Sequence, residues 1–153
     1  MISPFAKPLP LEAQAPAFAR IDQHSRTVYS ERLLASGGYI AHFYGLPAHK
    51  TTRQNLHFLK TVTPMLESKG LSVIGFNPAD WETQYRLAQE LQLPYSLLYD
   101  PLSQTASAFG ATFVKTFLNH CVTFGVNSTG KIIFVHKGAL PDEALFLETL
   151  RRF

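Results

Sequence analysis

Tyr39-Ile40-Ala41-His42-Phe43-Tyr44 is a nearly unbroken apolar, β-prone run closed by Gly37-Gly38 on one side and Gly45 on the other. Such a run has no polar face to leave in water, so it is expected as a strand covered on both faces of a sheet. Leu71-Ser72-Val73-Ile74-Gly75-Phe76 repeats the pattern. Between the two, Leu56, Leu59, Val62 and Leu66 keep helical spacing up to Gly70. Thr51 or Thr52 is the expected N-cap of that helix, and Pro64 an expected kink.

The alternation continues. A helix is predicted from about Asp80 with Trp81, Tyr85, Ala88 and Leu91 on one side, then a strand over Tyr95 to Tyr99, then a short helix opened by Ser103 and closed by Gly110. Cys121 to Val126 and Lys131 to His136 are strands across the turn Asn127-Ser128-Thr129-Gly130, short enough for an antiparallel hairpin. Asp142 to Phe153 reads as a terminal helix with Leu145, Leu147 and Leu150 available for packing. Upstream, Ala17 to Ile21 and Thr27 to Tyr29 form a plausible hairpin, followed by a short helix, Glu31 to Ala35, capped by Ser30. The sum is an α/β fold of thioredoxin-like order: a mixed central sheet flanked by helices on both faces, with an antiparallel edge.

With 153 residues, 46% of them hydrophobic, one domain over 17–153 is expected. Pro4, Pro8, Pro10 and Pro16 make residues 1–16 an extended N-terminal arm. No run reaches the roughly 18 apolar residues of a membrane span, and the first twenty residues carry four prolines rather than a basic stretch followed by an apolar one, so no secretory signal is expected. The formal charge of +3 comes without a block of like charge, which argues against a nucleic-acid partner. The lone Cys121 can make neither an intramolecular disulfide nor a Cys-x-x-Cys zinc site, and a reducing cytosol suits it.

Several strings, in order, resemble the peroxiredoxin family, the alkyl hydroperoxide reductase and thiol-specific antioxidant group, over about residues 15 to 150. Ala15-Pro16-Ala17-Phe18 is similar to its Ala-Pro-Asp-Phe opening. Leu93-Pro94-Tyr95-Ser96-Leu97-Leu98-Tyr99-Asp100-Pro101 resembles the Leu-Pro-Phe-x-Leu-Leu-x-Asp-Pro of the bacterioferritin-comigratory type, and Val122-Thr123-Phe124 with Gly130-Lys131-Ile132 resembles its closing strand and turn. The resemblance implies the thioredoxin fold. It also implies an active-site signature, Pro-x-x-x-Thr-x-x-Cys at the start of the long helix, with an arginine three residues before the Phe of Thr-Phe. Pro47 and Thr51 match that signature, but Gln54 stands at the nucleophile's place and Cys121 at the arginine's. A carboxamide cannot attack an O–O bond, so the resemblance carries the fold and contradicts the activity.

Two uses of Cys121 stay open. It can be a relocated nucleophile with His49, Lys50 and Arg53 as pKa-lowering cations, or a small apolar filler on a buried strand. His42 can face the pocket or be a core histidine. No regular ligand spacing links it with His49 and His57, so neither a metal nor a cofactor is expected. His120 next to Cys121 suggests a dyad, but strand neighbours point to opposite faces. Lys50-Thr51-Thr52-Arg53 can hold a small anion at the helix start or be an ordinary cap.

The first expectation is a degenerate, non-catalytic protein-binding, scaffold or assembly subunit with a protein partner or a homodimer. Its contact surface would be the Pro47 to Arg53 loop, the Ala111 to His120 segment and the arm, with Phe5, Phe113 and Phe117 as partner-facing aromatics. The alternative is a one-cysteine thiol peroxidase using Cys121, with Thr51 in support. A third reading places a small ligand in the vacated pocket between His42, Thr51, Gln54 and Cys121.

Overall fold

The computed structural model describes residues 7–112 and 119–153. Phe5, Phe113 and Phe117 lie outside the described residues, as does most of the Ala111 to His120 segment. The apolar run predicted as the central strand is β3, Gly38–Phe43, buried at every position. It occupies the middle of a five-stranded sheet ordered β5-β4-β3-β6-β7, with β4 over Ser72–Asn77, β5 over Ser96–Tyr99, β6 over Val122–Asn127 and β7 over Ile132–Lys137. β3, β4 and β5 run parallel, while β6 runs antiparallel to both of its neighbours, β3 and β7. The hairpin β1 (Ala19–Ile21) and β2 (Thr27–Tyr29) pairs separately and touches the sheet edge through an Asp22–Leu98 bridge.

Alternation along β3 sorts the core into two layers. Ile40 and Tyr44 pack with α2 (Lys50–Ser68), α3 (Trp81–Leu91) and α5 (Glu143–Leu150) through Leu56, Leu59, Val62, Leu87 and Phe146. Tyr39, Ala41 and Phe43 pack on the opposite face with α1 (Ser30–Ser36) and α4 (Gln104–Phe109), around Phe18, Phe76, Phe109 and Phe124. The rings of Phe43 and Phe76 stack at 4.7 Å, and Phe124 meets Phe43 edge-on. Residues 12–15 of the proline-rich arm are fastened to the sheet's hairpin end, with Glu12 N–H donating to the Ile132 carbonyl, Ala15 N–H to that of Gly130 and Ile132 N–H to that of Ala13.

The structure corrects the sequence reading at the helix ends. Ser30 does not cap α1; its hydroxyl accepts the Phe18 N–H at 2.9 Å and ties the helix to the N-terminal segment. α2 is capped not by Thr51 or Thr52 but by His49, whose ring accepts the Thr51 N–H. The helix continues past Pro64 to Ser68. Ser103 stands at the N-cap of α4 as expected, but the first-turn Thr105 and Ala106 N–H groups are taken by the buried Asp100 carboxylate, at 2.8 and 2.9 Å. On α3 the buried positions are Gln84, Leu87 and Ala88, while Trp81 and Tyr85 stack on each other away from the core. On α5 the core positions are Phe146 and the expected Leu150, with Leu147 packed against them, while Leu145 faces solvent.

Candidate functional site

A cavity of about 550 Å³ opens where the loop after β3, the start of α2, the loop after β4 and the residues leading into β6 converge. It lies beyond the carboxyl ends of β3 and β4, beside the point where the sheet changes from parallel to antiparallel, the usual place for a ligand in an open α/β sheet. Two asparagines hold its floor. Asn77 Nδ2 donates to the carbonyls of Tyr44 and Gly45, each at 2.8 Å, and its Oδ1 accepts the Ala79 N–H at 2.9 Å. Asn119 Nδ2 donates to the Phe76 carbonyl at 3.2 Å. The walls are otherwise largely apolar, with Leu46, Pro47, Pro78 and Ala79 among them.

The start of α2 decides which side chains enter. His49 Nδ1 accepts the Thr51 N–H at 3.3 Å and its carbonyl accepts the Arg53 N–H at 3.1 Å, so the ring takes the capping role of a hydroxyl. With the cap at His49, Thr52, Asn55, Leu56 and Leu59 share the face turned to the sheet. Thr52 is fully buried and lines the cavity, with no hydrogen-bond partner for its hydroxyl among the described residues. Gln54, two residues on and about 200° around the helix, is exposed and outside the cavity. Gln54 therefore stands outside the cavity wall; the first-turn residues of α2 that line it are Thr51 and Thr52, of which Thr52 is fully buried. Stepping back by three and four residues from Leu59 and Leu56 would have found it in the sequence.

The other expected residues divide. Pro47, His49, Thr51 and Cys121 line the cavity, and Cys121 is half-buried there, beside His120. Strand alternation does not part His120 from Cys121, because both precede β6. Lys50 is exposed and not in the wall. Arg53 is turned away and forks onto Glu90 of α3 at 2.9 and 3.1 Å, an ion pair that holds the Glu90 carboxyl below its usual range. Burial, with a smaller contribution from the Lys137 charge, pushes the His120 pKa down. Of the cations expected beside Cys121, Arg53 is paired with Glu90 and Lys50 is outside the wall, while His49 lines it and caps α2.

His42 is not a pocket residue. It is wholly buried in β3 under α2, its Nδ1 2.8 Å from Thr123 Oγ1 and its ring stacked on Tyr44. Desolvation lowers its pKa to about 3, so the ring is neutral at ordinary pH. Among the described residues no three His, Cys, Asp or Glu side chains are grouped to hold a metal. No described helix is long and apolar enough to cross a membrane.

A thioredoxin-like sheet with a pocket at the N-terminus of its long helix is a peroxiredoxin-type scaffold. A sequence model of the AhpC/TSA family matches residues 11–135. The chain belongs to that family. Over 134 residues it is 27% identical to the peroxiredoxin-type protein bcp of Haemophilus influenzae, the match covering 84% of this chain and 86% of the relative. The fold is similar to that of peroxidoxin BcpB from Mycobacterium tuberculosis, with a TM-score of 0.82 at 18% identity, covering 92% of this chain and 94% of that one. It is also similar to AhpC of Mycobacterium tuberculosis, with a TM-score of 0.80 at 16% identity and coverage of 95% and 93%.

Proposed function

We propose that this protein is a degenerate member of the AhpC/TSA family that works by binding at and around the cavity rather than by reducing peroxides. One observation carries the reading: the first-turn residues of α2 that line the cavity are Thr51 and Thr52, hydroxyls in the place where a thiol would gain from the helix N-terminus. A hydroxyl with an ordinary alcohol's acidity does not attack an O–O bond. The partner is a protein or a second copy of the chain, engaged at the rim, where Leu46 is 65% exposed. A scaffold or assembly role in a reducing cytosol belongs to the same proposal.

A second reading is favoured by the position of Cys121 in the cavity wall. Its thiolate would attack the terminal oxygen of a hydroperoxide; the S–O bond forms, the O–O bond breaks, and the alkoxide leaves with a proton as the alcohol. Two equivalents of an external thiol would then return the sulfenic acid to the thiol, giving water and a disulfide. Intact mass after stoichiometric hydrogen peroxide, with and without dimedone, separates the two. Wild type and Cys121→Ser should both stay unmodified on the timescale of an ordinary exposed thiol. Rapid trapping that disappears in Cys121→Ser would overturn the non-catalytic reading.

A further inference from the structure

Two buried polar atoms at the cavity have no partner among the described residues: Thr52 Oγ1 and Asn119 Oδ1. Thr52 is 0% exposed and Asn119 5%. Buried polar groups in folded proteins are nearly always paired, and an unmade hydrogen bond costs the full desolvation of the group. Asn119 cannot turn to relieve its oxygen without giving up the bond from its Nδ2 to Phe76. Thr52 is held by its helix on the face turned to the sheet. The two residues that carry these atoms line a volume within the roughly 300–1,000 Å³ typical of small-molecule sites.

We infer that the cavity binds a small neutral molecule with a hydrogen-bonding head that both donates and accepts, a primary amide or an alcohol, on a short apolar body. The head must donate, because Asn119 Oδ1 is an acceptor only. Thr52, at the first turn of a 19-residue helix, can supply an O–H to the acceptor part of the same head. A negative charge is disfavoured. Arg53 is paired with Glu90, Lys50 is outside the wall, burial favours neutral His120, and His49 Nδ1 is already an acceptor for Thr51. The body is apolar because Leu46, Pro47, Pro78 and Ala79 offer it nothing to hydrogen-bond with through their side chains. This inference rests on the reading that the cavity works by binding.

Gly45 gives a clean way to close the site. A methyl group there would lie 3.5 Å from the Asn119 carbonyl oxygen and 3.9 Å from Thr52 Oγ1, ordinary contacts that fill space without a clash. The full chain, labelled with ¹⁵N, is titrated with hexanamide, hexanol and hexanoate while the Gly45 backbone and Asn119 side-chain amides are followed. Hexanamide and hexanol should give saturable shifts, with hexanoate about tenfold weaker or silent. Thr52→Val, which keeps shape and removes the hydroxyl, should weaken hexanamide about tenfold. Gly45→Ala should abolish its binding, with the rest of the spectrum confirming the fold of both variants. No saturable shift at either reporter, equal binding of hexanoate, or unchanged affinity in Thr52→Val would overturn the inference. Peroxide turnover at Cys121 with hexanamide binding intact would remove the non-catalytic reading and leave the ligand class. Absence of both would do the reverse.

Discussion

His42 Nδ1 and Thr123 Oγ1 meet 2.8 Å apart across the β3–β6 pair, and neither side chain reaches solvent. The other ring nitrogen, Nε2, has no partner among the described residues. A proton added to this ring would create a buried charge with nothing opposite it. Burial accordingly sets the folded pKa near 3 against 6.5 for a free histidine. The unfolded chain then takes up the proton first. The contribution of neutral His42 is complete above about pH 6.5 and is lost as the pH falls toward 3, by up to about 1.4 kcal/mol per pH unit. Denaturant midpoints of wild type and His42→Leu from pH 7 to pH 4 should converge or cross as the pH falls. A constant gap between them would remove His42 from the acid response.

Asp100 carries two tasks at once. Its carboxylate ends α4 by accepting the Thr105 and Ala106 N–H groups, and Arg20 Nε stands 3.4 Å from Oδ1. Asp100→Ala removes the cap and leaves buried N–H groups unmet, an expected loss of about 3 kcal/mol. Asp100→Asn keeps one acceptor and should lose about half as much. Chemical denaturation checks both, and equal losses would show that the charge, rather than the cap, holds the segment.

Gly38 opens β3 at φ +119°, and a Cβ there would lie 2.3 Å from the Val126 carbonyl oxygen on the neighbouring strand. The backbone cannot retreat without breaking the β3–β6 register, which pairs Gly38 with Asn127. Gly38→Ala should cost about 3 kcal/mol or more, through strain and collision together. Gly138, also at positive φ but with nothing within 4 Å of a Cβ, is the control: Gly138→Ala should cost only the strain, about 1 kcal/mol. Parallel thermal unfolding of the two variants tests the ranking.

Most of the fold was legible because its strands are short continuous apolar runs between glycines, and β3, β4 and the β6–β7 turn fall where that pattern puts them. Helix caps were less legible. Ser30 has the composition of a cap but is drawn off by Phe18 N–H, while His49, a less usual capping residue, takes the place expected of Thr51 or Thr52. The one buried first-turn side chain of the cavity, Thr52, was missed for the same reason. Counting from Pro47 by the resemblance leads to Gln54, but orientation on a helix depends on its phase, and the phase is fixed by the His49 cap and the buried Leu56 and Leu59. Arg53 was misread because Glu90, its partner, lies on another helix and is close only in the folded chain.

The placement of the degenerate position can be tested by putting a thiol back. In a Cys121→Ser background, Thr52→Cys sets a sulfur in the cavity at the first turn of α2, where the helix N-terminus favours the thiolate. Gln54→Cys sets it on the exposed side of the same turn. Both are small changes in size, so both should fold. With stoichiometric hydrogen peroxide and dimedone, Thr52→Cys should be trapped severalfold faster than Gln54→Cys, which should react as an ordinary surface thiol. The thiol pKa, read from the pH dependence of alkylation, should fall below the usual 8.5 or so only in Thr52→Cys. Faster trapping at residue 54 would return the vacated position to Gln54. Equal, slow trapping at both would mean that the scaffold has lost the electrostatics of the reaction along with its sulfur, since Arg53 is committed to Glu90 and no arginine stands at residue 121.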